Sequence, residues 1–130
     1  MAMSIQMIAS IAVGGAAGAV ARHALMGAVG RWLGTGFPRA TLAVNTIGCF
    51  VMGALTEAFA LAWSASLEMR AFLTVGFLGA FTTFSAFTLD VNLLTVQGRL
   101  MPAALYVAAS VLLTILAFFA GMALLRQLLP

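Results

Sequence analysis

The chain has 130 residues, 64% of them hydrophobic and only 7% charged, against about 25% charged in an ordinary soluble domain. So little polar surface cannot cover a water-facing fold, which excludes a soluble globular protein and leaves an integral membrane protein. The net charge of +3 comes from six arginines scattered along the chain and three acids, which excludes a nucleic-acid binder with its clustered basic face.

Gaps between charges count the membrane spans. No charged residue occurs from Met1 to Ala21, and Glu57 alone interrupts Ala40 to Leu67. Ala71 to Leu89 and Leu100 to Leu125 are free of charge. A bilayer-crossing helix needs about 20 mostly apolar residues. The pattern predicts an all-α fold of four spans, 4–28, 40–63, 71–96 and 101–126, in a single membrane domain over 1–130. The first run lacks the basic start of a signal peptide and is expected to stay as a helix. Short linkers fall at 30–38, 64–70 and 97–102.

The arginines give orientation. With the N-terminus in the cytoplasm, Arg70 and Arg126 lie inside, and Arg31, Arg39 and Arg99 outside, with Arg22 near them. The positive-inside rule asks for a clear excess on the cytoplasmic side, and this distribution gives a weak bias the other way. Either the N-terminus is outside, or the chain inserts both ways and pairs with its own inverted copy.

In the first span, Gly14 and Gly18, with Ala17 and Ala21, recur at four-residue spacing, which lets helix backbones approach closely. Arg22 follows them. It either snorkels to the headgroups or lends positive potential to a vestibule. His23 has no second histidine with which to build a metal site.

The second span carries Asn45, an amide in hydrocarbon that must find a partner. An interhelical hydrogen bond worth about 0.6–2 kcal/mol would satisfy it, and its N–H₂ suits an anion equally well. Cys49 is the single cysteine and reads as a small apolar residue.

The third span contains "GFLGAFTTFSAF", residues 76 to 87. Phe77, Phe81, Phe84 and Phe87 form a helical stripe, and Thr82, Ser85 and Thr88 a second row. Such a stripe serves packing in many proteins. Here Gly76 and Gly79 weaken the helix just ahead of hydroxyl residues that compete for backbone hydrogen bonds. An interrupted helix is expected near Thr82-Thr83. In a membrane such backbone is tolerated only where it is buried in protein or lines a site, and it is used to hold ions.

The fourth span has Tyr106, Ser110 and Thr114 at i+4 steps, one hydroxyl stripe over about two turns. It is either interhelical glue or a pore wall, and with Asn45 and the third-span hydroxyls a pore is favoured.

No nucleophile–base pair, metal-ligand cluster or phosphate loop is present, so an enzyme is not expected. The only acids inside the spans are Glu57 and Asp90, both towards span ends. Hydroxyls, an amide, arginine and aromatic ring edges remain, all positive or donor groups suited to a small anion.

"GGAAGAVARH", "TLAVNTIGCFVMG" and "GFLGAFTTFSAFTLD" resemble, in order, three of the four spans of the Fluc family of fluoride channels, also called CrcB. The resemblance implies a fluoride-selective passive channel of the bacterial inner membrane that exports cytoplasmic fluoride and gives fluoride resistance. It implies an antiparallel, dual-topology homodimer with two pores and a broken third helix. A central structural Na⁺ would be held by the backbone carbonyls of Gly79 and Thr82. The fluoride pathway would use Asn45, Phe84, Phe87, Ser85, Tyr106, Ser110 and Thr114, with Arg22 and Asp90 in the vestibule. Ala86 stands where the family often has threonine. Two other classes are weighed against this one. A small multidrug-type proton-coupled antiporter needs an acid in the first span, and none lies between Met1 and Arg22. A non-transporting membrane assembly subunit would use the small-residue faces for packing alone.

Overall fold

Ser4 starts the first helix by accepting a hydrogen bond from the Met7 N–H at 3.1 Å, and α1 runs Ile5–Leu33. It stops at Gly34, whose φ of 78° lies in the left-handed region that favours glycine. The computed structural model describes residues 2–130. In it the first span therefore ends at Leu33 rather than at 28, because Gly30 stays helical and Gly34 is the first residue to take the cap geometry.

Pro38 stands just before α2, Arg39–Leu61, where its missing N–H costs no helical bond. The third span, Leu67–Val96, begins earlier than 71 because Ser66 accepts from the Met69 N–H at 3.1 Å and caps a first turn, α3, Leu67–Arg70. A π-helical stretch follows, Ala71–Leu78, and then a short turn, α4, Gly79–Phe81. Thr82 (φ −87°, ψ 155°) and Thr83 (φ −153°, ψ 116°) are extended. The chain then resumes as α5, Phe84–Val96, and closes with α6, Leu100–Leu128.

Four helical segments are thus long and apolar enough to cross a bilayer, and no strand occurs among the described residues. The chain is an all-helical, multi-pass membrane protein.

Packing follows the small residues. The second and fourth spans meet along an extensive face, and glycines set their closest approach. A Cβ on Gly53 would run into the Phe118 carbonyl, and one on Gly121 into the Phe50 carbonyl. On the other side of the molecule Gly14 and Gly18 press α1 against the π-helical stretch at Phe72 and Phe77, and Gly76 returns the contact at Ile11. Lipid gives apolar helices no hydrophobic reason to associate, so this close backbone approach is what gathers them.

Two apolar clusters form between the helices. Val44, Leu78 and Phe81 make one, and Leu94, Ala103 and Tyr106 the other, the latter with Phe37 and Phe87 packed on it. Glu57 is buried but paired: Arg126 donates through Nε to Oε1 at 2.8 Å and through Nη2 to Oε2 at 3.1 Å. The pair ties the last turn of α6 to the later part of α2.

Candidate functional site

Asn45 on α2 meets the two extended residues. Its Oδ1 accepts from the Thr83 N–H at 2.7 Å, and its Nδ2 donates to the Thr83 carbonyl at 3.0 Å. The amide thereby replaces helical bonds that extended backbone cannot make. One of its two N–H bonds remains, because a side-chain amide has two.

The same diversion frees carbonyls. In a continuous helix the Thr83 N–H would bond the Gly79 carbonyl, and the Ala86 N–H the Thr82 carbonyl. Here the first goes to Asn45 Oδ1 and the second to Thr83 Oγ1 at 3.1 Å. Among the described residues no three His, Cys, Asp or Glu side chains come together. The Gly79 and Thr82 carbonyls thereby lose the amides that a continuous helix would give them.

The two extended residues also reset the phase of the aromatic stripe. Phe77 and Phe81, before them, stack at 5.9 Å between centroids and pack in or against the Val44 core. Phe84 and Phe87, after them, lie 5.3 Å apart and line a groove of about 240 Å³. The expected row of Thr82, Ser85 and Thr88 does not form a continuous stripe, because it assumed unbroken helical winding. Thr82 Oγ1 donates to the Leu78 carbonyl and Thr88 Oγ1 to the Phe84 carbonyl, while Ser85 Oγ pairs with Thr83 Oγ1 at 3.2 Å.

Asn45 and Cys49 of α2 and the extended Thr82 and Thr83 also line the groove, together with a wall of Ser110, Val111 and Thr114 from α6. The two hydroxyls of that wall differ. Thr114 Oγ1 spends its proton on the Ser110 carbonyl at 2.6 Å. Ser110 Oγ is buried with no hydrogen-bond partner among the described residues. A buried hydroxyl without a partner is uncommon, and here it belongs to a residue that lines an open groove.

Five of the seven residues expected along a pathway thus share one groove: Asn45, Phe84, Phe87, Ser110 and Thr114. Ser85 and Tyr106 do not line it. Tyr106 is fully buried behind Phe87, with ring centroids 5.2 Å apart, and its hydroxyl donates to Asp90 Oδ2 at 2.8 Å. Asp90 also borders a smaller hollow of about 110 Å³ with Thr35, Gln97 and Arg99 at one end of the molecule. Arg22 is half-buried on α1, lines neither hollow, and makes no hydrogen bond or ion pair among the described residues. Gly79 is exposed.

Sequence reasoning passed over Cys49 and Val111 in the groove, and Phe37 behind Tyr106. Phe37 packs edge-on to that ring, with centroids 5.6 Å apart and planes at 84°. The one local signal was its place before Pro38, which restricts it to extended backbone.

Known proteins give this arrangement its context. The family model described as "CrcB-like protein, Camphor Resistance (CrcB)" matches residues 9–122. A protein of Rhodospirillum centenum named fluoride-specific ion channel FluC is 52% identical over 122 residues, covering 94% of this chain and 97% of that one. Its namesake in a Chelativorans species is 52% identical over 119 residues, covering 92% of this chain and 95% of its own. That of Agrobacterium fabrum is 48% identical over 125 residues, covering 93% and 97%. The matched region reaches from the Gly14–Gly18 face through Asn45 and Thr83 to Gly121 in the last span, and the chain belongs to the CrcB family.

Proposed function

We propose that this chain is a fluoride-selective, passive anion channel, which lets cytoplasmic fluoride leave the cell and so confers fluoride resistance. The observation that carries the reading is the groove: Asn45 with one unspent N–H, Ser110 with an unpartnered hydroxyl, and the rings of Phe84 and Phe87 line one space. Hydrogen fluoride enters cells as a neutral weak acid and dissociates, so the anion is trapped and leaves only through a path of its own. N–H, O–H and positive ring edges replace the hydration shell of a small anion, and a narrow path excludes chloride by size. No carboxylate lines the groove to carry a coupling proton: Glu57 pairs with Arg126, Asp90 accepts from Tyr106, and Glu68 sits in the first turn of the third span.

Purified protein in liposomes tests this. Fluoride efflux is expected without any proton or sodium gradient, and chloride efflux is expected to be far slower. Comparable chloride flux, or strict dependence on a proton gradient, would count against a channel.

The working unit is an antiparallel, dual-topology homodimer. Phe84, a groove residue, is 78% exposed in a single chain, as expected if a second copy covers it. The near-balanced arginines allow that copy to be inverted. The Gly79 and Thr82 carbonyls at the broken third helix fit a structural Na⁺: they are neutral, hard oxygen donors whose helical amides are engaged elsewhere. Two such carbonyls from each copy make four oxygens. When bound, such an ion would supply positive charge between the two breaks, and the fluoride step is left to the groove residues. Lysines added after Pro130 are expected to force one orientation and cut flux, and a second copy forced the opposite way to restore it. Full flux from one forced orientation would overturn the dimer.

A further inference from the structure

We propose that Phe37 is a positioning residue for the ion path: it holds Tyr106 edge-on, and Tyr106 fixes the Phe87 ring in the groove wall. The inference rests on the channel reading above.

Phe37 lies in the link between α1 and α2, a place where a chain is usually loose. This link is pinned on both sides of the residue. Arg99 Nη1, from the link before α6, donates to the Gly36 carbonyl at 2.6 Å, a charge-assisted bond. The Phe37 carbonyl accepts from the Arg39 N–H at 2.7 Å, and Arg39 Nη1 donates to the Leu33 carbonyl at 2.9 Å. Pro38 narrows the backbone choices of Phe37 further.

The pinned ring reaches inward. Phe37 meets Tyr106 edge to face, and Tyr106 is held at its other end by the hydroxyl bond to Asp90. Tyr106 is wholly buried, so these contacts leave it one pose. Its ring in turn meets Phe87 at 47°, and Phe87 lines the groove. Orientation of that last ring matters to an anion, because an aromatic edge is positive and its face negative. A phenylalanine in a half-open groove has two free torsions. The file Phe37–Tyr106–Phe87 supplies the constraint that the groove side lacks.

Two measurements test it. Phe37→Leu keeps an apolar side chain and removes the ring edge, whereas Phe37→Tyr keeps the ring. In liposomes Phe37→Leu is expected to lower fluoride flux by about tenfold, the factor that a strong aromatic edge contact represents, with Phe37→Tyr near the unaltered chain. Ring motion is read separately, from a meta-fluorophenylalanine at position 87 in the otherwise unaltered dimer. A held ring gives two ¹⁹F signals, and Phe37→Leu is expected to merge them as the ring flips faster. Unchanged flux in folded Phe37→Leu, or unchanged ¹⁹F line shape, overturns the proposal. If Phe37→Leu fails to fold, Arg99→Gln releases the Gly36 carbonyl without touching a ring; it is expected to quicken Phe87 flipping, and unchanged flipping there overturns the proposal equally. Should the unaltered chain pass no fluoride, the channel reading fails, and the ¹⁹F signals still decide whether Phe37 holds Phe87.

Discussion

Phe84→Ile and Phe87→Ile are each expected to lose fluoride flux by about a hundredfold, the loss typical when one preorganised group facing a charge is removed. The swap keeps most of the apolar volume, so stability should fall by less than about 1.5 kcal/mol. At Phe84 the cost within one chain is smaller still, because the ring is 78% exposed there. What disappears is the positive ring edge. Phe77 and Phe81 provide the internal control: they belong to the same stripe in sequence but pack in or against the Val44 core, away from the groove. Phe77→Ile should therefore change stability more than flux. The measurement is fluoride efflux from liposomes alongside the elution profile of each variant. Normal flux in folded Phe84→Ile and Phe87→Ile would make the pair ordinary packing.

Asn45→Asp should be as damaging, for a different reason. Asp retains the oxygen that accepts the Thr83 N–H, so that bond survives. It loses the donor to the Thr83 carbonyl and the amide's second N–H, and it adds a negative charge to a residue that lines the groove. Asn45→Ala removes both bonds and leaves a backbone N–H and a carbonyl of a buried residue unpaired, at about 1–3 kcal/mol each. The alanine variant should thus melt below the unaltered chain, while both variants fail to conduct. Thermal unfolding and efflux measured together separate the structural from the electrostatic part. An aspartate variant that conducts as the unaltered chain does would exclude Asn45 from the anion path.

The sequence carried some of this plainly. Charge gaps located the four spans because burying a charge in hydrocarbon is costly. Their ends shifted where a cap decided the matter, at Gly34 and Ser66, since hydropathy does not sense capping. Gly14 and Gly18 announced a close helix contact by their spacing alone, and both are buried against the third span. The hydroxyl cluster marked the place where Thr82 and Thr83 take extended dihedrals, but not its effect on phase. Counting i, i+4, i+7 through Phe77, Phe81 and Phe84 presumes one unbroken helix, and so it joined core rings to groove rings. Tyr106–Asp90 and Glu57–Arg126 were invisible for another reason. Their members stand 16 and 69 residues apart on different helices, and no local pattern encodes which helices become neighbours.

The π-helical stretch Ala71–Leu78 has a geometric corollary. Each N–H there reaches one residue further back than in an α-helix, so the stretch holds a spare residue wound into the rod instead of looped out. A chain one residue shorter at this point would wind as plain α-helix with almost the same rise. Side chains beyond it would keep nearly their present azimuth, whereas the present residues, all wound as α-helix, would carry them about 100° around the axis. In that second case Thr83 would turn from Asn45. The π winding between Arg70 and Gly79 therefore aims the whole second half of this span, much as a tensioner takes up one spare link so that every tooth downstream still meets its place.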